Sequence, residues 1–155
     1  MFVVDTNVAI AANGRDTHAD DSCRRACVQK IRSLTKGKVI VLDDQGQIMQ
    51  EYGKHLRFSG APGVGDAFFK YLFDHQYQGR KVKRVRIQPC DDERRDFEEL
   101  PVNGLDRSDR KFLAVAVASR ATIVNATDSD WSEQRSLMEG LKVTIEQLCP
   151  QHACK

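Results

Sequence analysis

Short apolar segments alternate with longer segments of helical periodicity along nearly the whole chain. The segments typical of strands are FVVD, KVIVLD, KVKRVRI, TIVNA and KVTIEQL. Between each pair lies at least one segment whose apolar residues recur every three or four positions, the spacing of one helix face. Strands joined through helices form a parallel sheet that helices cover on both sides. The order of segments therefore predicts an α/β domain.

The same patterns give expected boundaries. We expect helices over 16–37, 46–58, 66–76, 108–120 and 129–141, and a short helix over 91–100. Asp16 or Thr17 can cap the first, Ser108 the helix over 108–120, and Gly37 can end the first. Basic and apolar residues alternate in KVKRVRI, which suits an edge strand. We expect one domain over 1–148, followed by a short C-terminal tail over 149–155.

Composition excludes several classes of protein. The 155 residues are 41% hydrophobic and 30% charged, with a net charge of +2, which suits a folded domain rather than a disordered chain. The apolar runs all fall short of the roughly 20 residues that span a membrane. The first segment lacks the basic start of a secretion signal, and Asp5 interrupts it. We therefore expect a cytoplasmic protein with no membrane partner.

The cysteines give a weak signal. They are Cys23, Cys27, Cys90, Cys149 and Cys154. Their odd number and scattered spacing argue against a disulfide framework. The C-terminal segment CPQHAC brings two of them close to His152, but a metal site there would lack a second ligand cluster. An ordinary tail is the favoured interpretation.

Acidic residues follow strands or begin helices at four places. These are Asp5 after the first strand, Glu51 in the second helix, Asp106 and Asp109 before the alanine-rich segment KFLAVAVA, and Asp128 and Asp130 after TIVNA. Each alone is typical of a helix cap or a turn. Asp5 is harder to explain in this way, because it ends a buried strand, where a carboxylate is costly unless it is paired or binds a metal.

Several acids that converge without matching cations favour a divalent cation. Open parallel sheets bind ligands beyond the carboxyl ends of their strands, where Asp5 and Asp128 are expected. Oxygen ligands favour Mg²⁺ or Mn²⁺ over zinc. Such an ion activates water and stabilises charge on a phosphoryl group. The residues alone therefore indicate a hydrolase that acts on phosphate esters.

At these positions the sequence resembles a known family. VVDTN, MQEY, SDRKFLAVAVA and ATDSDW are similar, in order, to the four acidic motifs of PIN-domain ribonucleases, which include VapC-type toxins. The resemblance covers nearly the whole chain. It implies a three-layer PIN-like α/β fold whose central parallel sheet has five strands in the order 3-2-1-4-5. It also implies RNA cleavage that leaves a 5′-phosphate and a 3′-hydroxyl, with Mg²⁺ or Mn²⁺ as cofactor.

The resemblance also implies roles for individual residues. The matched catalytic metal ligands are Asp5, Glu51, Asp109 and Asp128, with Asp130 and Asp106 as further candidate ligands and Thr6, Asn7 and Thr127 as supporting residues. Many members carry Ser or Thr two residues before the fourth acid, where this chain has Ala126 and places Thr127 next to it. The family further implies a homodimer and an antitoxin protein as partner.

Cations are needed to bring RNA to an acidic pocket. Arg110 and Lys111 directly follow Asp109 and are expected to reach a phosphate near the ion. Lys83 and Arg84, in a basic segment that also holds Arg80, Lys81 and Arg86, extend the RNA contact if their strand faces the acids. Otherwise these charges protect a sheet edge from pairing with other chains.

Three alternatives remain open. The first is a PIN fold that binds RNA or protein without cleaving it. The second is a phosphatase or dehalogenase, which typically has a second Asp two residues after the nucleophile, where this chain has Asn7. The third is a receiver-like signalling domain, whose acceptor Asp would end the third strand, a position that Asp91 matches only loosely.

Overall fold

The computed structural model describes residues 1–153. Five strands form one sheet: β1 Phe2–Val4, β2 Ile40–Asp43, β3 Val82–Val85, β4 Thr122–Asn125 and β5 Ile145–Gln147. All pairings are parallel, and the strands lie in the order β3-β2-β1-β4-β5. The expected α/β class and the 3-2-1-4-5 order are therefore confirmed, with β1 at the centre and the basic strand β3 at an edge.

Helices connect and cover these strands. In the described part of the chain they are α1 Thr6–Asn13, α2 Asp21–Thr35, α3 Gln47–His55, α4 Val64–His75, α5 Arg110–Ser119, α6 Asp130–Glu133, α7 Arg135–Leu141 and α8 Pro150–Ala153, and a 3-10 turn over Arg107–Asp109 precedes α5. Helices α1, α2 and α4 pack on one another, whereas α5 packs across four strands from β3 to β4. None of these helices is long and apolar enough to span a membrane.

One helix was not expected, and three local expectations are wrong. Helix α1 was not predicted, because Asp5 ends β1 and caps the next helix with no linker between them. The cap of α2 is Asp20, which accepts a hydrogen bond from the Cys23 backbone N–H at 2.8 Å. The 3-10 turn before α5 is capped by Asp106, not by Ser108. The segment 129–141 forms two helices, α6 and α7.

The segment 91–100 forms turns in place of the expected short helix. Asp96 has a φ of 64°, which is incompatible with a right-handed helix. Asp92 accepts hydrogen bonds from the Arg94 backbone and guanidinium, which favours a turn over continued helix. An antiparallel bridge between Pro89 and Phe97 closes the segment.

Close packing of α1 on α4 depends on Gly65. A Cβ at this position would overlap the carbonyl oxygen of Ala9 in α1, so the two helices approach at a distance that only glycine permits. Val8 and Ala12 of α1 are buried in the same core. Because α1 follows Asp5 directly, this packing also fixes the point where β1 ends.

Residues 149–153 pack against the domain. Cys149 is fully buried and forms a disulfide with Cys23 of α2, 126 residues away in sequence. The expectation against disulfides is therefore wrong for this pair, because cysteine spacing carries no information on a contact made by the tertiary fold. Helix α8 contacts α6. Cys154, a member of the C-terminal cluster considered above, lies outside the described residues.

Asp43 at the end of β2 is buried and caps α3. Its carboxylate accepts backbone hydrogen bonds from Gln45, Gln47 and Ile48 at 3.1, 2.9 and 2.9 Å. We expect Asp43→Ala to lower the free energy of unfolding by about 2–3 kcal/mol, because it leaves these amides unpaired. Urea unfolding followed by circular dichroism measures this change. The exposed neighbour Asp44 is the control, and an equal loss in Asp44→Ala would contradict the capping role.

Candidate metal centre

Asp5 lies at the junction of β1 and α1, and it is only 5% exposed. Its backbone N–H donates to the Val124 carbonyl in β4 at 3.0 Å. Its Oδ1 accepts from the Asn7 backbone N–H at 3.2 Å, and its Oδ2 accepts from Trp131 Nε1 at 2.8 Å. The carboxylate is therefore held in one orientation by groups from α1 and α6.

Two further carboxylates meet Asp5. A carboxylate oxygen from each of Asp5, Asp109 and Asp128 lies within 4.8 Å of the other two. The three residues come from the end of β1, the 3-10 turn before α5, and the loop after β4. Pairing of β1 with β4 brings the first and last together, and α5 places Asp109 between them.

Proximity and burial change the ionisation of two of these carboxylates. Burial raises the pKa of Asp5 to about 6, although the Trp131 hydrogen bond lowers it, and the charge of Asp128 adds a smaller rise. Burial and the charges of Asp5 and Asp128 raise the pKa of Asp109 well above its usual range. Without a cation, the centre therefore retains a proton at neutral pH.

Two asparagines hold the loop that carries Asp128. Asn7 Nδ2 donates to Asn125 Oδ1 at 2.9 Å, and Asn7 Oδ1 accepts from the backbone N–H groups of Ala126 and Thr127 at 2.9 and 3.3 Å. Asn125 is fully buried, and its Nδ2 donates to the Asp128 carbonyl at 2.8 Å. These bonds fix the end of β4 to the start of α1, and Thr127 takes part through its backbone.

Sequence reasoning missed three residues that shape the centre. Asn125 ends a buried strand, as Asp5 does, and this position was an available signal. Trp131 was quoted only as part of a motif, although its indole bonds Asp5. Tyr52 donates its hydroxyl to the Val4 carbonyl at 2.7 Å and supports the end of β1. For Tyr52 and Trp131, sequence offers no signal for a contact with β1.

Thr6 contributes a buried polar atom to this region. The residue is 5% exposed, and its Oγ1 has no hydrogen-bond partner among the described residues. Buried hydroxyl groups without partners are rare, because each costs desolvation energy. An unpaired hydroxyl next to Asp5 in sequence is consistent with a site that holds an additional polar group.

Glu51 lies outside the cluster of three acids and is paired with cations. Its Oε2 lies 3.2 Å from Lys54 Nζ and 3.5 Å from Lys111 Nζ, and its Oε1 lies 3.6 Å from His55 Nε2. Burial alone would raise its pKa, but Lys111 and Lys54 hold it below the usual value. In this conformation Glu51 is a charged partner of Lys111 and not a member of the triad.

Asp106 and Asp130 border the triad. Asp106 is exposed, and its Oδ1 accepts from the Ser108 backbone and hydroxyl at 2.9 and 2.8 Å, which makes it a cap of the 3-10 turn. Asp130 begins α6, and its backbone N–H donates to Asp128 Oδ1 at 2.9 Å. Burial and the charge of Asp128 raise the pKa of Asp130.

Two of the four expected RNA contacts are engaged elsewhere. Arg110 is 6% exposed, and its Nη1 donates to the Glu93 carbonyl at 2.7 Å and to Asp96 Oδ2 at 2.9 Å. The expectation that Arg110 reaches a phosphate is wrong in this structure, because the turns over 91–100 enclose its guanidinium. Lys111 is 9% exposed and donates to the Ser108 carbonyl as well as facing Glu51.

Lys83 and Arg84 remain accessible on the edge strand β3. The Arg84 guanidinium carbon lies 4.6 Å from the centre of the Tyr77 ring. An exposed cation stacked on an aromatic ring is well suited to contact a phosphate or a base. The same two charges also cover an unpaired sheet edge.

Comparison with known proteins finds no match to this chain. The chain matches no protein-family model, and neither curated proteins nor solved structures contain a match to it.

The proton on Asp109 predicts a pH-dependent stability in the metal-free protein. Because the folded pKa exceeds the unfolded one, this group's stabilisation is complete below about pH 4 and is lost as pH rises through the folded pKa. Asp109→Asn keeps a donor toward Asp128 without titrating. We expect its melting temperature in chelator at pH 8 to exceed that of the unmodified chain by several degrees, since 1 kcal/mol corresponds to about 2–4 °C at this size.

A thermal melt series from pH 4 to pH 8 measures this difference, which should shrink toward pH 4. The control is Asp106→Asn, because hydrogen bonds from Ser108 lower the pKa of that carboxyl group and no gain is expected. A difference that is constant across the series would show that Asp109 does not carry the extra proton.

Proposed function

We propose that this chain is a metal-dependent endoribonuclease of the PIN-domain type, with Mg²⁺ or Mn²⁺ as its cofactor. One observation carries the proposal. Asp5, Asp109 and Asp128 converge within 4.8 Å at the carboxyl ends of central parallel strands. The motif resemblance supplies the reaction type, and the geometry supplies a reason for a cation, since three adjacent carboxylates, two of them buried, repel one another when all are ionised.

The residues present fit such an ion. The triad offers carboxylate oxygens alone, which suit Mg²⁺ or Mn²⁺. Thr6 Oγ1 is buried and unpaired within the described residues, as expected beside a polar group that binds there. Asp5, Asp109 and Asp128 would hold the ion, and Asp130 borders it. The ion, when bound, lowers the pKa of coordinated water and stabilises charge on a phosphoryl oxygen.

The chain's own residues supply orientation. Trp131 and the Asn7 backbone fix the Asp5 carboxylate, and the Asn7–Asn125 pair fixes the loop of Asp128. A rigid set of ligands reduces the reorganisation needed when a phosphodiester enters. Asp109 releases its proton when a cation takes its place, so the centre becomes fully charged only in the loaded state.

The position of Glu51 favours the alternative function, a PIN-type module that binds RNA or protein without cleaving RNA. Its carboxylate faces Lys54, Lys111 and His55, whereas the other three matched acids face one another. A catalytic role for Glu51 requires these cations to release it when the ion or the RNA binds. The activity of Glu51→Gln therefore separates a working fourth acid from a structural ion pair.

Basic groups next to Glu51 offer a path for RNA. A cavity of about 490 Å³ is lined by Arg15, Lys54, His55 and Arg57, among other residues. All four are exposed at its rim. Such a group attracts a phosphate backbone toward an acidic centre that would otherwise repel it. Under this proposal, Lys54 and His55, which contact Glu51, belong to the cations that guide RNA, the role expected of Arg110 from the sequence.

The same proposal includes two protein partners, a second copy of this chain in a homodimer and an antitoxin protein. Phe68, Phe69 and Leu72 of α4 are buried in the core. Phe73 stays 52% exposed and Phe58 46% exposed, and their ring centres lie 5.4 Å apart. This pair of aromatic rings is the apolar surface that a second protein chain would cover.

Asp5→Asn tests the cleavage activity. The amide keeps the shape and one of the two hydrogen bonds, from Trp131 or from the Asn7 backbone, but removes the charge that holds the ion, so RNA cleavage in Mg²⁺ or Mn²⁺ should fall by at least about 100-fold. Gel assays of single-stranded and hairpin RNA measure it, with chelator as the metal-free reference. The control Asp106→Asn should lose much less. Near-normal cleavage by a pure, folded Asp5→Asn sample would refute the role of Asp5.

The edge strand predicts a salt effect. If β3 guides RNA, replacing both Lys83 and Arg84 with Ala should weaken binding to all sequences and reduce the log–log salt slope by about one to two. Replacing Arg135 and Lys142, exposed residues that precede β5 at the opposite edge of the sheet, is the matched control. An unchanged slope in a folded double variant would leave edge protection as the role of the strand.

A further inference from the structure

Three cysteines meet at one place in the core. Cys23 and Cys27 lie one turn apart on the buried face of α2, and Cys149 directly precedes α8. The sulfur atoms of all three lie within 4.8 Å of one another, and each residue is at most 1% exposed. They come from segments more than 120 residues apart, so the fold supplies the second ligand cluster that the C-terminal segment lacks in sequence.

A disulfide accounts for two of these sulfurs but not for the third. Cys23 and Cys149 are bonded, and Cys27 is a free thiol. Burial raises the pKa of Cys27 to about 12, so its thiol stays protonated and is a poor nucleophile toward the adjacent disulfide. Thiol–disulfide exchange therefore does not explain why a third sulfur faces the pair.

A histidine lies at the same end of α2. His152 follows Cys149 by three residues, and its backbone N–H donates to the Cys149 carbonyl at 2.9 Å. Its Nε2 lies 3.3 Å from Asp20 Oδ2, while Asp20 Oδ1 caps Cys23. The Asp20 backbone N–H also lies 3.4 Å from Nε2, so Asp20 holds the ring at the edge of the cluster, and His152 joins the three sulfurs by turning away from Asp20.

The four groups form two ligand pairs of short spacing. Cys23 and Cys27 are separated by three residues, and Cys149 and His152 by two. Structural zinc sites use such pairs, with three cysteines and one histidine as a common donor set. In a tetrahedral site with Zn–S bonds of about 2.3 Å, sulfur atoms lie about 3.8 Å apart, within the spread of these sulfurs.

We propose that Cys23, Cys27, Cys149 and His152 form a structural zinc site when the Cys23–Cys149 disulfide is reduced. A dithiol reductant supplies two electrons and two protons and itself becomes a disulfide, leaving three thiols in the protein. Zinc then displaces three thiol protons, giving a site of three thiolates and one imidazole. This site shares no residue with the acidic triad, and it joins α8 to α2 in the reduced protein as the disulfide does in the oxidised one.

Cobalt substitution tests the site in the full chain. The disulfide is reduced with a water-soluble phosphine, which takes an oxygen atom from water as two thiols form. Co²⁺ titration should then give the visible absorption of a tetrahedral ion and a thiolate-to-cobalt charge-transfer band that saturate at one ion per chain, and Zn²⁺ should displace both. Oxygen ligands give no such band, so Mg²⁺-type binding at the acids does not interfere. Absence of the band in reduced protein would overturn the proposal.

Two variants identify the ligands. Cys27→Ala, which leaves the disulfide pair intact, should weaken zinc binding in competition with a chromophoric chelator by at least about 100-fold. Cys90→Ala, a free cysteine outside the cluster, should bind as the unmodified chain does. Equal affinity of both variants would refute the assignment of Cys27.

X-ray absorption at the zinc edge of the unmodified, reduced chain requires no variant to fold. Three sulfur ligands and one nitrogen ligand are expected. Two or fewer sulfur ligands would overturn the proposal even if zinc binds.

Discussion

The burial of one carboxylate at the end of the central strand is the constraint on which the rest of the site depends. Asp5 accepts hydrogen bonds from the Asn7 backbone and from Trp131, and it still retains a pKa of about 6 because burial outweighs both. Helix α1 starts at this residue, and β4 is bonded to its backbone. With an apolar residue at the end of β1, the backbone bond to β4 would remain, but the Asn7 and Trp131 bonds to the carboxylate would have no acceptor.

Lys111 is a nearly buried cation beside this acidic region. It lies 3.5 Å from Glu51 and lowers the pKa of both Glu51 and Asp5. A metal that binds the triad therefore enters a region that already contains one positive charge. Under the proposed function, repulsion between the ion and Lys111 makes the affinity of the triad for the metal lower than three carboxylates alone would give.

The sequence predicted the sheet well and individual contacts poorly. Asp5 and Asp128 follow buried apolar runs, so their meeting at the strand ends is a consequence of parallel topology that any reader of the sequence can derive. The enclosure of Arg110 depends on carbonyl groups of a turn that has no periodicity. The partner of Cys149 is 126 residues away, and the role of Asn125 needs the pairing of β4 with β1 to be known. Local pattern determines elements, whereas these contacts arise from packing.

Trp131 gives the molecule an internal optical reporter. It is the sole tryptophan of the chain, it is 1% exposed, and its indole N–H is bonded to the Asp5 carboxylate. A negative charge at that nitrogen sets the electric field along the ring, and therefore the emission wavelength. Any neutralisation of Asp5, by a proton or by a cation, changes that field at a distance of 2.8 Å. The intrinsic fluorescence of the unmodified chain thus reports the charge state of the Asp5 carboxylate without a label.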